Sequence, residues 1–357
     1  MWGVSVPVAR TPPKSSCLQW GGEQGKSGQY INPHPLPVAR FPYTRTFPLV
    51  TQNNQALPPG YELEGYRIER QLSVGGFSIV YLAHDAQGTP VAIKEYLPNA
   101  FALRGEGQIA PTVPPEFQSN FNHGLKCFFE EGRALKGLSH PNVVQVLNFF
   151  RANGTVYLVM RFEVGRTLRD YIRKNRGRLK ETFLRTMFSG LLDGLGEVHG
   201  CGLLHLDIKP ANIWLRDDGS PVLLDFGAAR YAVDIGPPEP LAMYTPGYAA
   251  PEQYHGKFTL GPWTDIYAVG ACIYAALAGA APQAADDRLV DDQLLPARQR
   301  WGMDYSPRLL ATIDECLRID PTRRPQHARA LKASLNTDQP GDKRPDSWLS
   351  LLGLRRK

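Results

Sequence analysis

The pattern of apolar and polar positions changes texture at residue 66. Upstream, residues 1–60 are rich in Pro, Gly, Ser and Gln with little hydrophobic periodicity, which predicts a disordered leader. Beyond it come three short β-rich runs, Tyr66–Leu72, Ile79–His84 and Pro90–Tyr96, with Gly75-Gly76 and Gly88 at the turns. A polar, Pro-bearing stretch (Pro98–Pro115) follows, and from Phe117 to Leu138 apolar residues recur at helical spacing. Two further strands, Val143–Phe150 and Thr155–Phe162, are joined by Asn153-Gly154, a dipeptide suited to the tight turn of a hairpin.

After Gly165 the helical period dominates. Glu181–His199, Trp263–Ala278, Pro307–Ile319 and Gln326–Leu335 each repeat apolar residues at that spacing. Short strands are predicted around Leu203–Leu206, Ile213–Leu215 and Val222–Leu224. A strand-rich half followed by a helix-rich half predicts an α+β protein of two lobes with a cleft between them.

Composition narrows the function classes. At 357 residues, 43% of them hydrophobic and 21% charged, the chain has enough apolar surface for one large or two ordinary domains. The net charge of +6 is concentrated in the leader, where Arg10, Lys14, Lys26, Arg40 and Arg45 face only Glu23. The main body is close to neutral, which argues against a nucleic-acid partner. The five cysteines (Cys17, Cys127, Cys201, Cys272, Cys316) contain no C-x-x-C pair and suit neither a zinc site nor a disulfide framework. The longest uncharged apolar stretch, Ile266 to Ala281, is shorter than the roughly 18–20 residues that span a bilayer, so no transmembrane segment is expected. Together with the lack of a charged head and apolar run at the N-terminus, this predicts a soluble protein. The tail, residues 336–357, ends on Trp348–Lys357, an apolar patch closing in three basic residues. Such a patch can touch a membrane surface or a partner, although docking on its own domain is the plainer reading.

The chemistry lies in His205-Leu206-Asp207-Ile208-Lys209-Pro210-Ala211-Asn212. An Asp can accept the proton of an attacking hydroxyl, a Lys two positions on can neutralise a moving phosphoryl group, and an Asn five on can ligate Mg²⁺. Thirteen residues past Asn212 stands Asp225-Phe226-Gly227, at the end of an apolar strand. A carboxylate there is a natural magnesium ligand against nucleotide phosphates. Ala250-Pro251-Glu252 closes a segment of loop character.

This set resembles the protein-kinase signature. Val91-Ala92-Ile93-Lys94 matches the strand whose lysine holds the α- and β-phosphates, and Glu131 falls where the glutamate that pairs with it belongs. Asp265 matches the buried aspartate that braces the catalytic loop, and Arg324 the arginine that pairs with Glu252. Seven motifs stand in register over residues 66 to about 335. A bacterial (Hanks-type) serine/threonine subgroup is resembled more closely still. Its marks are Lys94-Glu95-Tyr96-Leu97-Pro98, Gly247-Tyr248-Ala249-Ala250-Pro251-Glu252-Gln253-Tyr254 and Gly261-Pro262-Trp263-Thr264-Asp265-Ile266-Tyr267.

The resemblance implies a two-lobed fold over residues 61–335. An N-lobe (about 61–163) would hold a five-stranded antiparallel sheet and one helix, and a mainly helical C-lobe would follow (about 164–335). It implies serine/threonine phosphorylation of protein substrates with ATP and Mg²⁺, or Mn²⁺ in its place. Asp207 and Lys209 would be catalytic, and Asn212 and Asp225 would hold the metal. Ser73, Gly75, Gly76, Ser78, Val80, Ala92, Lys94, Glu131, Met160 and Phe162 would form the nucleotide site. His205 is expected to be structural, and Thr245 to stand beside Asp207.

Two departures bear on function. The phosphate-covering loop, expected as G-x-G-x-x-G, reads Ser73-Val74-Gly75-Gly76-Phe77-Ser78. Serine restricts the backbone where glycine would not, yet its hydroxyl can donate to phosphate, so weaker nucleotide binding is expected. Leu206 stands where most kinases have the arginine that receives an activation-loop phosphate, and between Gly227 and Gly247 the only hydroxyl side chains are Tyr231, Tyr244 and Thr245. Both features predict activity without phosphorylation of that loop. The rival class is a pseudokinase scaffold or ATP-sensing module, favoured by the altered glycine loop and opposed by Lys94, Glu131, Asp207, Asn212 and Asp225. A small-molecule phosphotransferase is opposed by Ala250-Pro251-Glu252, which small substrates do not need.

Overall fold

Alternation along two neighbouring strands sets the architecture of the N-terminal lobe. In the computed structural model, which describes residues 54–175, 179–226, 230–231, 245–254 and 259–337, β1 (Glu62–Leu63), β2 (Tyr66–Val74), β3 (Ser78–His84) and β4 (Pro90–Tyr96) open the chain. With β5 (Val146–Ala152) and β6 (Thr155–Arg161) they form an antiparallel sheet in the order β1-β2-β3-β4-β6-β5. It contains the five predicted strands plus the two-residue edge strand β1, which the sequence pattern did not announce. The expected leader (1–53), the end of the tail (338–357), Gly227 and Tyr244 lie outside the described residues.

Register assigns the two faces of the sheet. Ile79 lies opposite Glu95, Tyr81 opposite Ile93 and Ala83 opposite Val91, and all six are buried on one face. Val80 lies opposite Lys94, and Leu82 opposite Ala92, on the other face. Helix α1 (Gln118–Lys136) packs there. Phe121 and Phe128 lie 5.4 and 5.6 Å from the Tyr96 ring, and Gly132 is so close to Phe149 and Leu158 that a Cβ would collide with them.

Residues 54–60, assigned to the leader by composition, belong instead to this lobe. Leu57 is buried and its N–H donates to the Tyr81 hydroxyl (3.1 Å). The Asn54 side chain donates to Asn99 (2.7 Å) and accepts from the Arg104 N–H (2.6 Å). The polar stretch after β4 is likewise built in, with Ala102 and Arg104 buried and Leu103 bridged to Thr112.

Arg104 explains this packing. Its guanidinium meets Glu95 through two bonds of 2.6 and 2.7 Å, and neither side chain is exposed. The remaining donors reach the carbonyls of Gln55 (2.7 Å) and Ile109 (3.2 Å) and the Tyr81 hydroxyl (2.8 Å). All five guanidinium N–H groups thus have acceptors, which a buried arginine requires. Tyr81 and Tyr157 each donate to Glu95 at 2.7 Å. Burial, reinforced by Glu95, pushes both phenols above their ordinary range and keeps them as donors.

The C-terminal lobe begins with β7 (Gly165–Thr167), α2 (Leu168–Asn175) and α3 (Glu181–Gly200). Four short strands follow, β8 (Leu203–Leu204), β9 (Ile213–Arg216), β10 (Pro221–Leu223) and β11 (Arg230–Tyr231). Six helices complete the described chain: α4 (Pro251–Tyr254), α5 (Pro262–Ala278), α6 (Ala285–Val290), α7 (Ala297–Trp301), α8 (Pro307–Cys316) and α9 (Ala328–Asn336). Helix α5 is buried continuously from Thr264 to Leu277, as its lack of a polar face requires. Among the described residues no helix is long and apolar enough to cross a membrane. The two lobes are tied by Val144, whose N–H bonds the Leu223 carbonyl (3.0 Å), and by Leu223, whose N–H bonds the Asn142 carbonyl (2.8 Å). That tie sets β10, and the Asp225 that follows it, beneath the N-lobe.

Candidate active site

The loop from His205 to Asn212 runs between β8 and β9, and its backbone is under local strain. Leu206 has φ 62°, a left-handed conformation uncommon for a residue with a Cβ. The buried Asp265 carboxylate holds it there, accepting the N–H groups of His205 (2.9 Å) and Leu206 (2.8 Å) while His199 Nε2 donates at 2.8 Å. Burial alone would raise the Asp265 carboxyl, but these donors outweigh it and hold it below the usual carboxylate range. Asp265 is therefore a brace for the loop, as the resemblance implied.

His205 is structural as well. Burial pulls its pKa below the ordinary value, so the ring is neutral. Nε2 donates to the Leu224 carbonyl (2.9 Å) and Nδ1 accepts from the Asp207 N–H (3.2 Å), which fixes the tautomer. Its ring also packs against Phe226, with centroids 4.5 Å apart.

On this frame Asp207 becomes the focus of three donors. Thr245 Oγ1 donates to Oδ1 (2.8 Å), while Lys209 Nζ (2.8 Å) and Asn212 Nδ2 (3.0 Å) donate to Oδ2. Lys209 also bonds Thr245 Oγ1 (3.0 Å). The carboxylate is held at a cleft edge by groups that each have a second anchor. Across from it stands Asp225, φ 55°, paired through Oδ1 with Lys94 Nζ at 3.1 Å. Burial would lift the Asp225 carboxyl, yet Lys94 outweighs that effect and lowers it; at Lys94 burial pulls the other way, downward, and Asp225 with Glu131 outweighs it and raises the ammonium above its ordinary value. The Asp225 side chain is still 44% exposed, so it faces the cleft.

Glu131 departs from expectation. It is buried on α1 and within electrostatic reach of Lys94, but among the described residues no ion pair joins them; Lys94 goes to Asp225 instead. Burial, only partly offset by Lys94, pushes the Glu131 carboxyl up to about 7. Because the folded value lies above the unfolded one, the penalty for its charge is present above pH 7 and is relieved as pH falls through 7 toward 4.5. Glu131→Gln should therefore be more stable than the parent at pH 8, by on the order of 1–3 kcal/mol, with the difference closing by pH 5. Urea melts at the two pH values measure this, and a constant difference would contradict it.

The residues expected to hold the nucleotide base share a face. Val80 and Ala92 are partly exposed on the cleft side of β3 and β4, Met160 lies opposite Ala92 on β6, and Phe162 follows at the strand end. Ser73, Gly75 and Gly76 are exposed at the turn, where the Gly75 N–H closes on the Ser78 carbonyl (2.8 Å). The Lys-Glu-Tyr-Leu-Pro segment and the Asn99 that follows it pin this turn, since Leu97 N–H bonds Phe77 O (2.8 Å) and Asn99 N–H bonds Gly76 O (2.9 Å). Neither glycine has a positive φ, and a Cβ on Gly76 would meet open space. Backbone strain therefore does not require glycine at either position.

The loop closing the site is fixed from below. Arg324 holds Glu252 through bonds of 2.7 and 3.0 Å, with both side chains buried. Sequence reasoning named that pair but passed over the next residue, Gln253, whose buried side chain reaches Leu206. It also passed over the Arg104–Glu95 pair. A charged Glu95 in the buried phase of β4 was the available signal, since such a residue needs a partner.

Comparison with known proteins agrees with this geometry. Residues 66–335 match the protein kinase domain family. The chain belongs to that family. It is 30% identical over 292 residues to the probable serine/threonine-protein kinase PkwA of Thermomonospora curvata, covering 80% of this chain and 36% of that protein. Against the serine/threonine-protein kinase pkn3 of Myxococcus xanthus it is 29% identical over 303 residues, 79% of this chain and 51% of the other. Against PknA of Nostoc sp. the identity is 30% over 282 residues, with coverages of 76% and 46%. The chain thus spans about a third to a half of these relatives. Among solved structures, "PpkA-294 apo form" superposes with a TM-score of 0.71 at 35% identity, covering 79% of this chain and 99% of that one. The kinase fold and the bacterial Hanks-type relationship follow directly.

Proposed function

We propose that this kinase-family chain transfers the γ-phosphoryl group of Mg-ATP to serine and threonine hydroxyls of protein substrates. The observation that carries the reading is the convergence of Thr245, Lys209 and Asn212 on the Asp207 carboxylate, opposite a cleft-facing Asp225. Asp207 accepts and orients the substrate hydroxyl, and Lys209 neutralises the transferring group. Lys94, attracted by Asp225 and Glu131, holds the α- and β-phosphates, with Gly75, Gly76, Ser73 and Ser78 above them. Val80, Ala92, Met160 and Phe162 enclose the base.

The donors fit a hard divalent cation. Asp225 supplies a carboxylate open to the cleft, and the Asn212 amide, fixed through Nδ2 to Asp207, has its oxygen left to offer. No cluster of three or more His, Cys, Asp or Glu that could hold a metal occurs among the described residues. Few protein ligands, with water and phosphate oxygens making up the rest, is how Mg²⁺ is commonly held, and Mn²⁺ would fit the same set. When bound, the ion supplies charge neutralisation at the phosphates. The same reading places the protein in the cytoplasm, where ATP is the donor, and gives it activity without activation-loop phosphorylation, because Leu206 cannot receive a phosphate.

One feature favours a second reading, a nucleotide-sensing scaffold: serine at both outer positions of the phosphate-covering loop. Transfer of label from γ-labelled Mg-ATP to the chain itself and to a basic protein, with Asp225→Asn as control, separates the two. Label on serine or threonine that disappears in the control supports the enzyme. Nucleotide binding without transfer supports the scaffold.

A further inference from the structure

Leu206 is held through both its backbone N–H and its carbonyl, and only the N–H is explained by Asp265. Its carbonyl accepts a bond from Gln253 Nε2 (2.8 Å), while Gln253 Oε1 accepts the Ala250 N–H (2.9 Å). Gln253 is buried on α4, one residue past the Glu252 that Arg324 locks in place. The turn beside it runs back through the Tyr248 and Ala249 N–H groups to the Thr245 carbonyl (3.0 and 3.1 Å), and Thr245 is the hydroxyl on Asp207. Leu206 itself is buried, its side chain lining a small apolar recess with Thr245, Tyr248, Ala249 and Ala268.

We propose that Gln253 is a positioning residue that clamps the catalytic loop to the substrate-side loop, doing with a neutral side chain what an arginine–phosphate contact would otherwise do. The proposal rests on the kinase reading and names the regulation of that same site. The chemistry is specific to glutamine. The position needs a donor toward Leu206 and an acceptor toward Ala250 on one side chain, and an ionised glutamate has no donor. With Leu206 already in a left-handed conformation, loss of the carbonyl anchor leaves the peptide that leads into Asp207 held only through the longer bond of the Asp207 N–H to His205 Nδ1 (3.2 Å).

The test uses Gln253→Met and Gln253→Glu in the full chain. Gln253→Met should lower kcat about tenfold, the equivalent of one buried hydrogen bond, with the KM for ATP unchanged. Gln253→Glu should match it at pH 8 and recover relative to the parent as pH falls to 6, because the protonated acid regains a donor. The charged groups around this position are Glu252 on its own helix, Arg324 across from it, and Asp265, Asp207 and Lys209 around the catalytic loop. Burial and the three carboxylates raise the introduced acid toward that range. Amide hydrogen exchange of residues 203–209 should quicken in Gln253→Met, a readout that stands even for a chain transferring no phosphate, so failure of the clamp and failure of the kinase reading are told apart. Parental kcat and exchange in Gln253→Met, or a flat pH ratio for Gln253→Glu, would overturn the proposal. Should Gln253→Met not fold, the pH ratio of Gln253→Glu decides alone.

Discussion

Asp225→Asn should lower phosphoryl transfer by about 10³-fold or more while leaving the fold intact. The size follows from what the carboxylate does. It is the carboxylate that Lys94 Nζ meets at 3.1 Å, and beside the neutral Asn212 amide it is the charged ligand of the proposed metal site. Asparagine keeps the shape and can accept a bond from Lys94, but it cannot balance the charge of a divalent ion. It is a cleaner probe than alanine because position 225 has φ 55°, which Asn tolerates and Ala resists. Stability should move little. Asp225 is half-open to solvent, and Lys94 retains Glu131 within electrostatic reach. The decisive measurement is kcat at saturating ATP over a range of Mg²⁺ concentrations. The mutant curve should stay flat where the parent rises. Transfer within tenfold of the parent would remove Asp225 from the metal site.

How much of this was legible in the sequence depends on where each constraint comes from. The strands Pro90–Tyr96 and Thr155–Phe162 and the helix over Glu181–His199 were read almost to the residue, because local periodicity and a hairpin dipeptide decide them. Asp207, Lys209, Asn212 and Asp225 were legible through spacing, and the Glu252–Arg324 and Asp265 contacts through the same resemblance. Three things were not. Residues 54–60 look like linker by composition, yet Asn54 and Leu57 are held by partners tens of residues away, which no local pattern encodes. The Lys94–Glu131 pair was expected, but which of two nearby carboxylates Lys94 takes is a matter of Ångström-scale packing of α1 on the sheet. Gln253 was quoted as a motif letter without a role, since its function lies in two backbone groups that have no sequence signature.

Arg104→Ala should destabilise the chain by about 3–5 kcal/mol, the cost of leaving a buried charge without its partner. Glu95 is fully buried between Tyr81 and Tyr157, and both of its oxygens bond the guanidinium. Water does not reach this carboxylate in place of Arg104 without opening the cover made by residues 54–57 and 102–109. The loss is therefore expected as local loosening of that cover together with lower global stability. Glu95→Gln on the Arg104→Ala background should recover part of the loss, because a neutral amide still accepts from one phenol, can donate to the other and no longer carries charge. Replacing the pair by Leu and Met should recover less than an ordinary buried ion pair would, since Tyr81 and Tyr157 then lose their acceptor. A double-mutant cycle in urea measures these couplings, and additive effects of the two single changes would show that Arg104 and Glu95 act separately. The consequence reaches the active site through the strand. Glu95 adjoins Lys94, and the segment Arg104 anchors continues from Leu97 and Asn99, whose N–H groups hold the phosphate-covering turn. Weaker Mg-ATP binding should accompany the loss of stability in Arg104→Ala, even though Arg104 itself lies on the face of the sheet turned away from the cleft.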